Sequence, residues 1–368
     1  IANNTWKNYK EDRNDANPDT AVDYTLTGHG GSIAFDVGAS DGTILNCTFN
    51  ANHAARDGGA AYYAAGATKG YIINSTFTNH TINYDGGAIY LNGTYCEIHN
   101  STFINNSAKD DGGAIFWQGA YGIIYNITCD YNHGTGLGIN GTSSTNGGVI
   151  CLTGSDMVLS KSTFTNSFGG KTGGTLFVTG NNVNITDSVF KNSTINLTDG
   201  GAIYVLGNNT LIRNCTFDNC TAPNHGGAIY VEGDNFVLDN STITNTTAID
   251  GGAIYIEGDN AYISAIISDS IATGVPGSEV AVDNDLYGAY INSTLKDVDA
   301  MIAYLGTIKA GNITAQNITT LNSTLQSIRK AIANITNANG VNLTNITAAL
   351  GLLNQLNDTI SLDRKSVV

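Results

Sequence analysis

The chain has 368 residues, of which only 13% are charged, and a formal net charge of −15. That balance excludes a nucleic-acid binder, which needs a basic stripe, and argues against anionic membrane surfaces. No apolar run reaches the roughly eighteen residues of a membrane-spanning helix. With 44 Gly, 3 Pro and 41% hydrophobic residues, the composition fits β-turn repeats rather than a disordered linker. The chain starts at Ile1 without an initiator Met or a signal peptide, which reads as a processed or truncated piece of something longer. Residues 1–24 are polar, with Glu11, Asp12, Arg13, Asn14 and Asp15 followed by Asn17, Pro18 and Asp19, and read as an N-terminal arm or cap.

From about residue 25 to 292 one phrase recurs. Gly-Gly-Ala-Ile-Tyr is intact at 86–90, 200–204, 226–230 and 251–255, with near-copies beginning at Gly58, Gly112, Gly147 and Gly173 and weaker ones at Gly30 and Gly277. The steps between copies run from 25 to 28 residues, except for one of 35. A glycine follows seven residues after the first Gly of seven copies, as at Gly93, Gly119 and Gly207, and a bulky apolar residue such as Phe103, Phe190 or Phe217 follows at seventeen. After each Gly-Gly the residues alternate. Ile89/Leu91, Ile115/Trp117, Ile203/Val205 and their equivalents form an apolar set predicted to point inward, and Ala88/Tyr90 and Ala202/Tyr204 form a second, unlike set. The Gly-Asn and Gly-Asp steps supply turns, a second strand is predicted after each turn, and a third carries the Asn-Ser-Thr-Phe phrase. Three short strands cannot bury a face alone. Stacked, they predict an all-β solenoid, a right-handed single-stranded parallel β-helix of about ten coils, roughly 43 Å long at about 4.8 Å per coil.

Repeats of Gly-Gly-Ala-Ile with a downstream Phe-x-Asn or Phe-x-x-Asn (Phe49…Asn52, Phe77…Asn79, Phe103…Asn105-Asn106, Phe164…Asn166, Phe190…Asn192, Phe217…Asn219) resemble the adhesin-like surface proteins of methanogenic archaea. They are also similar to the repeats of chlamydial polymorphic outer-membrane proteins. Phe-x-Asn dominates, which favours the archaeal group. The resemblance covers about 25–295 and implies a β-helix on an extracellular, cell-surface, adhesive protein.

The coil after Gly112 is about nine residues too long, and the excess falls in 132–142. It reads as a surface loop or, since solenoid insertions gather on one face, part of a binding face. Beyond 292 the period changes. Ile318, Leu321, Leu325, Ile328, Ile332 and Ile335 step by 3 and 4, a heptad seam. Helices are predicted at about 293–309, 314–338 and 342–361, so 293–368 reads as a hairpin, a bundle or an inter-chain coiled coil.

Tyr62, Tyr90, Phe116, Phe177, Tyr204, Tyr230 and Tyr255 form a column predicted to lie on one outer face. It suits sugar rings or an apolar protein patch, or else stabilises the sheet by cross-strand stacking. Acids precede Gly-Gly at Asp57, Asp85, Asp111, Asp199 and Asp250. Stacked carboxylates make Ca²⁺ conceivable, while turn chemistry needs no ion and no other cofactor is implied. The chain holds 25 Asn-x-Ser/Thr sequons, including Asn74, Asn100, Asn126, Asn192, Asn214 and Asn240, which read as glycosylation sites or as turn and Asn-stack positions. Histidines 29, 53, 80, 99, 133 and 225 show no zinc spacing and read as scattered turn residues. The six cysteines replace repeat positions and predict neither a disulfide framework nor a metal site.

Three function classes follow. The first is a non-enzymatic surface adhesin that binds a glycan or a cell-surface protein. The second is a structural subunit that self-associates into a homo-oligomer, filament, sheath or surface layer. The third is a polysaccharide lyase or hydrolase, which the fold also hosts. The chain has no basic cluster for an acidic sugar, and its acids are repeat-borne, so the reading is non-enzymatic.

Overall fold

Every coil turns a period-two strand inward after its Gly-Gly step, and stacking those strands builds the molecule. The computed structural model describes residues 29–54, 56–135 and 146–274, and the backbone of Thr5–Lys7 and Val280–Val282. The rest of the N-terminal arm, residues 136–145 of the long coil and the three predicted helices lie outside the described residues.

All strand pairs are parallel and fall into four ladders. Ladder one holds ten strands from Ile33–Phe35 to Val280–Val282, with Ile115 paired to Ile89 and Ile150 in direct register. Ladder two begins with Thr43–Leu45 and Tyr71–Ile73, and ladder three with Thr48–Asn50 and Thr76–Thr78. Ladder four is built from two-residue strands, Thr81–Ile82 through Thr194–Ile195. Three strands per coil were expected; the fourth is too short to show an alternation. The backbone of Thr5–Lys7 pairs with Thr48–Asn50, so the N-terminal segment occupies an edge of ladder three.

The aliphatic set is inward, as expected. Ile89, Ile115, Ile150, Ile203 and Ile229 are fully buried. The phenylalanines of ladder three stack inside the core, with Phe77–Phe103, Phe164–Phe190 and Phe190–Phe217 centroids 4.9 to 5.0 Å apart and rings within 8° of parallel. Each such ring contributes about 1.5–3 kcal/mol by leaving water. Cys129 takes the position between Phe103 and Phe164. Facing positions within a coil trade volume. Phe35, Tyr63 and Trp117 lie over glycines, and a Cβ at Gly42, Gly70 or Gly122 would sit 2.4 Å from the respective ring. In another coil the large partner changes sides, with Val231 paired to the fully buried Phe236. A large ring on one side over glycine on the other keeps the core close-packed while its sequence varies.

The corner between ladders two and three explains the Asn-Ser-Thr-Phe phrase. Asn takes a positive φ (Asn74 49°, Asn100 50°, Asn126 53°, Asn240 45°), a conformation asparagine tolerates better than most residues. Ser points inward and plugs the turn: Ser75 Oγ accepts from Cys47 N at 3.1 Å and donates to Ile73 O at 2.9 Å. Thr faces out and Phe faces in. The next corner explains the two forms of the Phe phrase. The Asn of Phe-x-Asn (Asn79, Asn105, Asn192, Asn219) is a positive-φ corner residue. The Asn of Phe-x-x-Asn is a buried rung: Asn106 Nδ2 donates to Phe77 O, and Asn106 N donates to Asn132 Oδ1. His80 occupies this buried rung, accepting at Nδ1 from Asn52 N at 2.9 Å, so it is not a surface turn residue. Burial pushes its imidazole down to about 4, which keeps it neutral. No disulfide joins the six cysteines, all of them buried.

Candidate functional site

Gly-Gly places the tyrosine column on the outer side of ladder one. The first glycine takes a positive φ (Gly112, 65°). The second lets two corners close, since a Cβ on Gly113 would meet Gly148 O at 2.1 Å. The residue after the inward Ile then faces out in every coil, and the register aligns Tyr62, Tyr90 and Phe116, then Phe177, Tyr204, Tyr230 and Tyr255.

The structure brings these seven together in two blocks rather than one row, because Cys151 stands between Phe116 and Phe177. In the first block the rings lie on one another, Tyr62–Tyr90 at 5.1 Å and Tyr90–Phe116 at 5.0 Å; in the second Tyr230–Tyr255 stack at 5.5 Å, while Tyr204 is tilted by 55° to Phe177 and 40° to Tyr230. His29 closes the lower end by stacking on Tyr62 at 4.3 Å, and His225 lies 4.5 Å from Tyr255. Exposed rings were expected; instead Phe116, Tyr204 and Tyr230 are buried and the others half-buried. Side chains of the following coil cover the hydroxyls. Tyr90 Oη donates to Gln118 Oε1 at 3.2 Å, and Tyr204 Oη donates to Glu232. Burial, with the carboxylates Glu232 and Glu257 beside them, raises the Tyr204 and Tyr230 phenols well above their usual range. The geometry is therefore that of a stacking ladder, with ring edges rather than faces toward solvent.

Beside it runs the acid column. Four of the five carboxylates accept a backbone N–H from the next coil: Asp85 N to Asp57 Oδ1 at 3.4 Å, Asp111 N to Asp85 Oδ1 at 3.0 Å, Asn146 N to Asp111 Oδ1 at 2.8 Å, His225 N to Asp199 Oδ1 at 3.0 Å. His29 Nδ1 lies 3.0 Å from Asp57, and His225 Nδ1 lies 2.7 Å from Asp199. Burial, then the like charges of neighbouring acids, push Asp85 up to about 8, and burial pushes Asp111 up to about 6. This is the turn chemistry expected of aspartate. Among the described residues no three His, Cys, Asp or Glu side chains converge as a metal site.

The six sequon asparagines are solvent-facing corner residues with positive φ. Their amides form ladders: Asn126 Nδ2 donates to Asn100 Oδ1 at 2.8 Å, Asn240 to Asn214 at 2.8 Å, Asn214 to Asp187 at 3.0 Å, and Asn192 to Asn166 at 3.0 Å. A glycan on Asn126, Asn192, Asn214 or Asn240 would take one hydrogen from a nitrogen that holds the ladder. Among the described residues 26 non-glycine residues have positive φ; sixteen are Asn and four are Asp, and three of the remainder are Tyr95, Tyr121 and Tyr131, each about half-exposed or more. These tyrosines were not singled out from sequence. They sit at corners where other coils place Asn or Asp, and comparing corner columns coil by coil would have found them.

Residues 142–295 match the sequence family described as the right-handed β-helix region, which agrees with the parallel coils and gives their hand. Residues 100–116 match the Chlamydia polymorphic membrane protein repeat. That stretch carries Phe103, the corner Asn105, the rung Asn106 and the following Gly-Gly, so it spans one corner-to-corner unit of the coil. No curated protein and no solved structure matches the chain.

Proposed function

We propose that this β-helix is a non-enzymatic adhesive segment of an extracellular surface protein, presenting its side wall to a glycan or protein on another surface. The observation that carries the reading is the match of 100–116 to the repeat of Chlamydia polymorphic membrane proteins, located in coils whose outer corners depart from the rest. The outer wall supports it as well. It is made of short polar side chains and stacked tyrosines whose phenols stay protonated, with carboxylates engaged by backbone amides. A hydrolase would need two carboxylates facing each other across a cleft; the acids that precede Gly-Gly run in one column along one wall. No ligand ion or cofactor is invoked, and the archaeal kinship rests on the Phe-x-Asn spacing alone.

The filament reading draws on the open edges of a β-helix. Against it, Thr5–Lys7 already pairs along an edge of ladder three, so end-to-end stacking there would have to displace the chain's own strand. The adhesive reading is tested with chain-coated beads passed over glycan-bearing cells. Tethering that the free chain competes away is expected. Absence of tethering, or release of reducing ends from polysaccharide by the chain, contradicts it.

A further inference from the structure

We propose that the outer face of ladder two, in the coils that begin at Gly86 and Gly112, is a carbohydrate-binding surface built on Tyr95 and Tyr121. The assignment rests on the adhesive reading and names the wall that does the binding.

The backbone argument comes first. Tyr95 and Tyr121 have φ of 56° and 59°, a region that favours glycine and asparagine and disfavours a bulky side chain. The same corner in later coils is Asn182, Asn209, Asn235 and Asn260, whose amides bond one to the next at 2.9 to 3.3 Å. Tyrosine gives up both the favourable residue type and the amide ladder. An outlier of this kind, repeated in adjacent coils, points to function rather than to folding.

The exposure argument comes second. The two rings stack at 4.9 Å and 9°, so each covers one face of the other. Tyr95 nevertheless remains 53% exposed and Tyr121 50% exposed. The buried ladder-one column has no comparable pair. The corner neighbours are Lys69 before Tyr95 and Asp156 after Tyr121, both charged, and Asp156 Oδ1 accepts from Asn182 Nδ2 at 2.9 Å.

The surface continues along the strands. His99 and Tyr125 lie side by side at 5.8 Å, Glu97 bonds His99 Nε2 at 2.7 Å, and Lys161 reaches Tyr125 Oη at 3.1 Å. Open aromatic rings alternate here with a carboxylate, an imidazole and two ammonium groups. A pyranose presents the matching pattern, with a C–H face for a ring and hydroxyls around its rim for acids, amines and phenols. A protein partner would call for a larger contiguous apolar area than this wall offers, where charged groups interrupt the rings.

The test compares the full chain with Tyr95→Asn/Tyr121→Asn, which restores the corner residue of the later coils. Both are passed over an array of immobilised neutral and acidic oligosaccharides, and their melting temperatures are measured. The expected result is retention of the full chain on a subset of glycans, about tenfold or greater loss for the double variant, and a melting temperature equal or higher. Tyr262→Ser, an exposed residue in an extended strand of a later coil, should keep full retention. In the unmodified chain, the retaining glycan should slow nitration of Tyr95 and Tyr121 by tetranitromethane but not that of Tyr262. A double variant that melts lower makes the pair structural and overturns the proposal. So does unchanged glycan retention, unprotected nitration, or a full chain that binds cells but no glycan on the array; in the last case adhesion survives and the carbohydrate assignment falls.

Discussion

The coils between Gly173 and Gly258 and those between Gly58 and Gly147 share one interior and differ at their corners. Inside, both carry fully buried apolar pairs on ladder one, aliphatic in the later coils and including Tyr63 and Trp117 in the earlier ones, and ring-stacked phenylalanines on ladder three. Outside, the later coils hold Asn182, Asn209 and Asn235 at one corner and Asn192, Asn219 and Asn245 at another; the earlier coils hold Lys69, Tyr95 and Tyr121, and end the second series with Tyr131. The inner positions are constrained by every neighbour in the stack, whereas a corner is constrained by one dihedral angle and one amide bond. Variation therefore accumulates where a solenoid can present it without unfolding.

The largest expected effect removes what the two regions share. Ile203→Asp or Ile229→Asp places a carboxylate at a fully buried site and should cost on the order of 4 kcal/mol or more. Hydrogen exchange should show the neighbouring coils opening together; an unchanged melt would refute the inward assignment.

Next comes a pH dependence seated in the acid column of the earlier coils. Asp85 is raised from 3.8 to about 8 in the folded chain, so its contribution is full below about pH 4 and is lost as pH climbs to about 8. Stability should fall across that window by up to a few kcal/mol, and Asp85→Asn should flatten the curve. In the later coils burial raises Asp199 as well, while its hydrogen bond with His225 opposes that rise. Melting curves at several pH values for both proteins check it, and identical slopes would refute it.

Gly122→Ala is smaller. Its Cβ would sit 2.4 Å from Trp117 and 2.6 Å from Met157, costing about 1–3 kcal/mol. Trp117→Val/Gly122→Phe copies the Val231/Phe236 arrangement of the later coil and should recover part of that loss in a denaturant melt. The smallest effect tests a corner. Asn209→Ala loses a tolerated positive φ and two amide bonds, to Asn182 and from Asn235, for about 1–2 kcal/mol.

Much of this was legible in the sequence. The fixed spacing between Gly-Gly, the turn glycine and Phe implies a coil, and the alternation after Gly-Gly separates inside from outside. Depth was not legible. Alternation says that Tyr204 and Tyr230 face outward, but the ring of the next coil and Glu232 cover them, and those belong to other repeats. His80 read as a turn residue because its rung becomes evident only when aligned with Asn52, Asn106 and Asn132. The two-residue strands of ladder four are too short for any period. Tyr95 and Tyr121 interrupt a corner column rather than repeat along the chain, so periodicity does not single them out.

The most direct test of a side-wall adhesin is the mass of the particle in solution, by light scattering over a concentration series. The account predicts a concentration-independent monomer of 38.4 kDa. Mass that grows with concentration, into defined oligomers or filaments, would contradict it and make the chain a structural subunit.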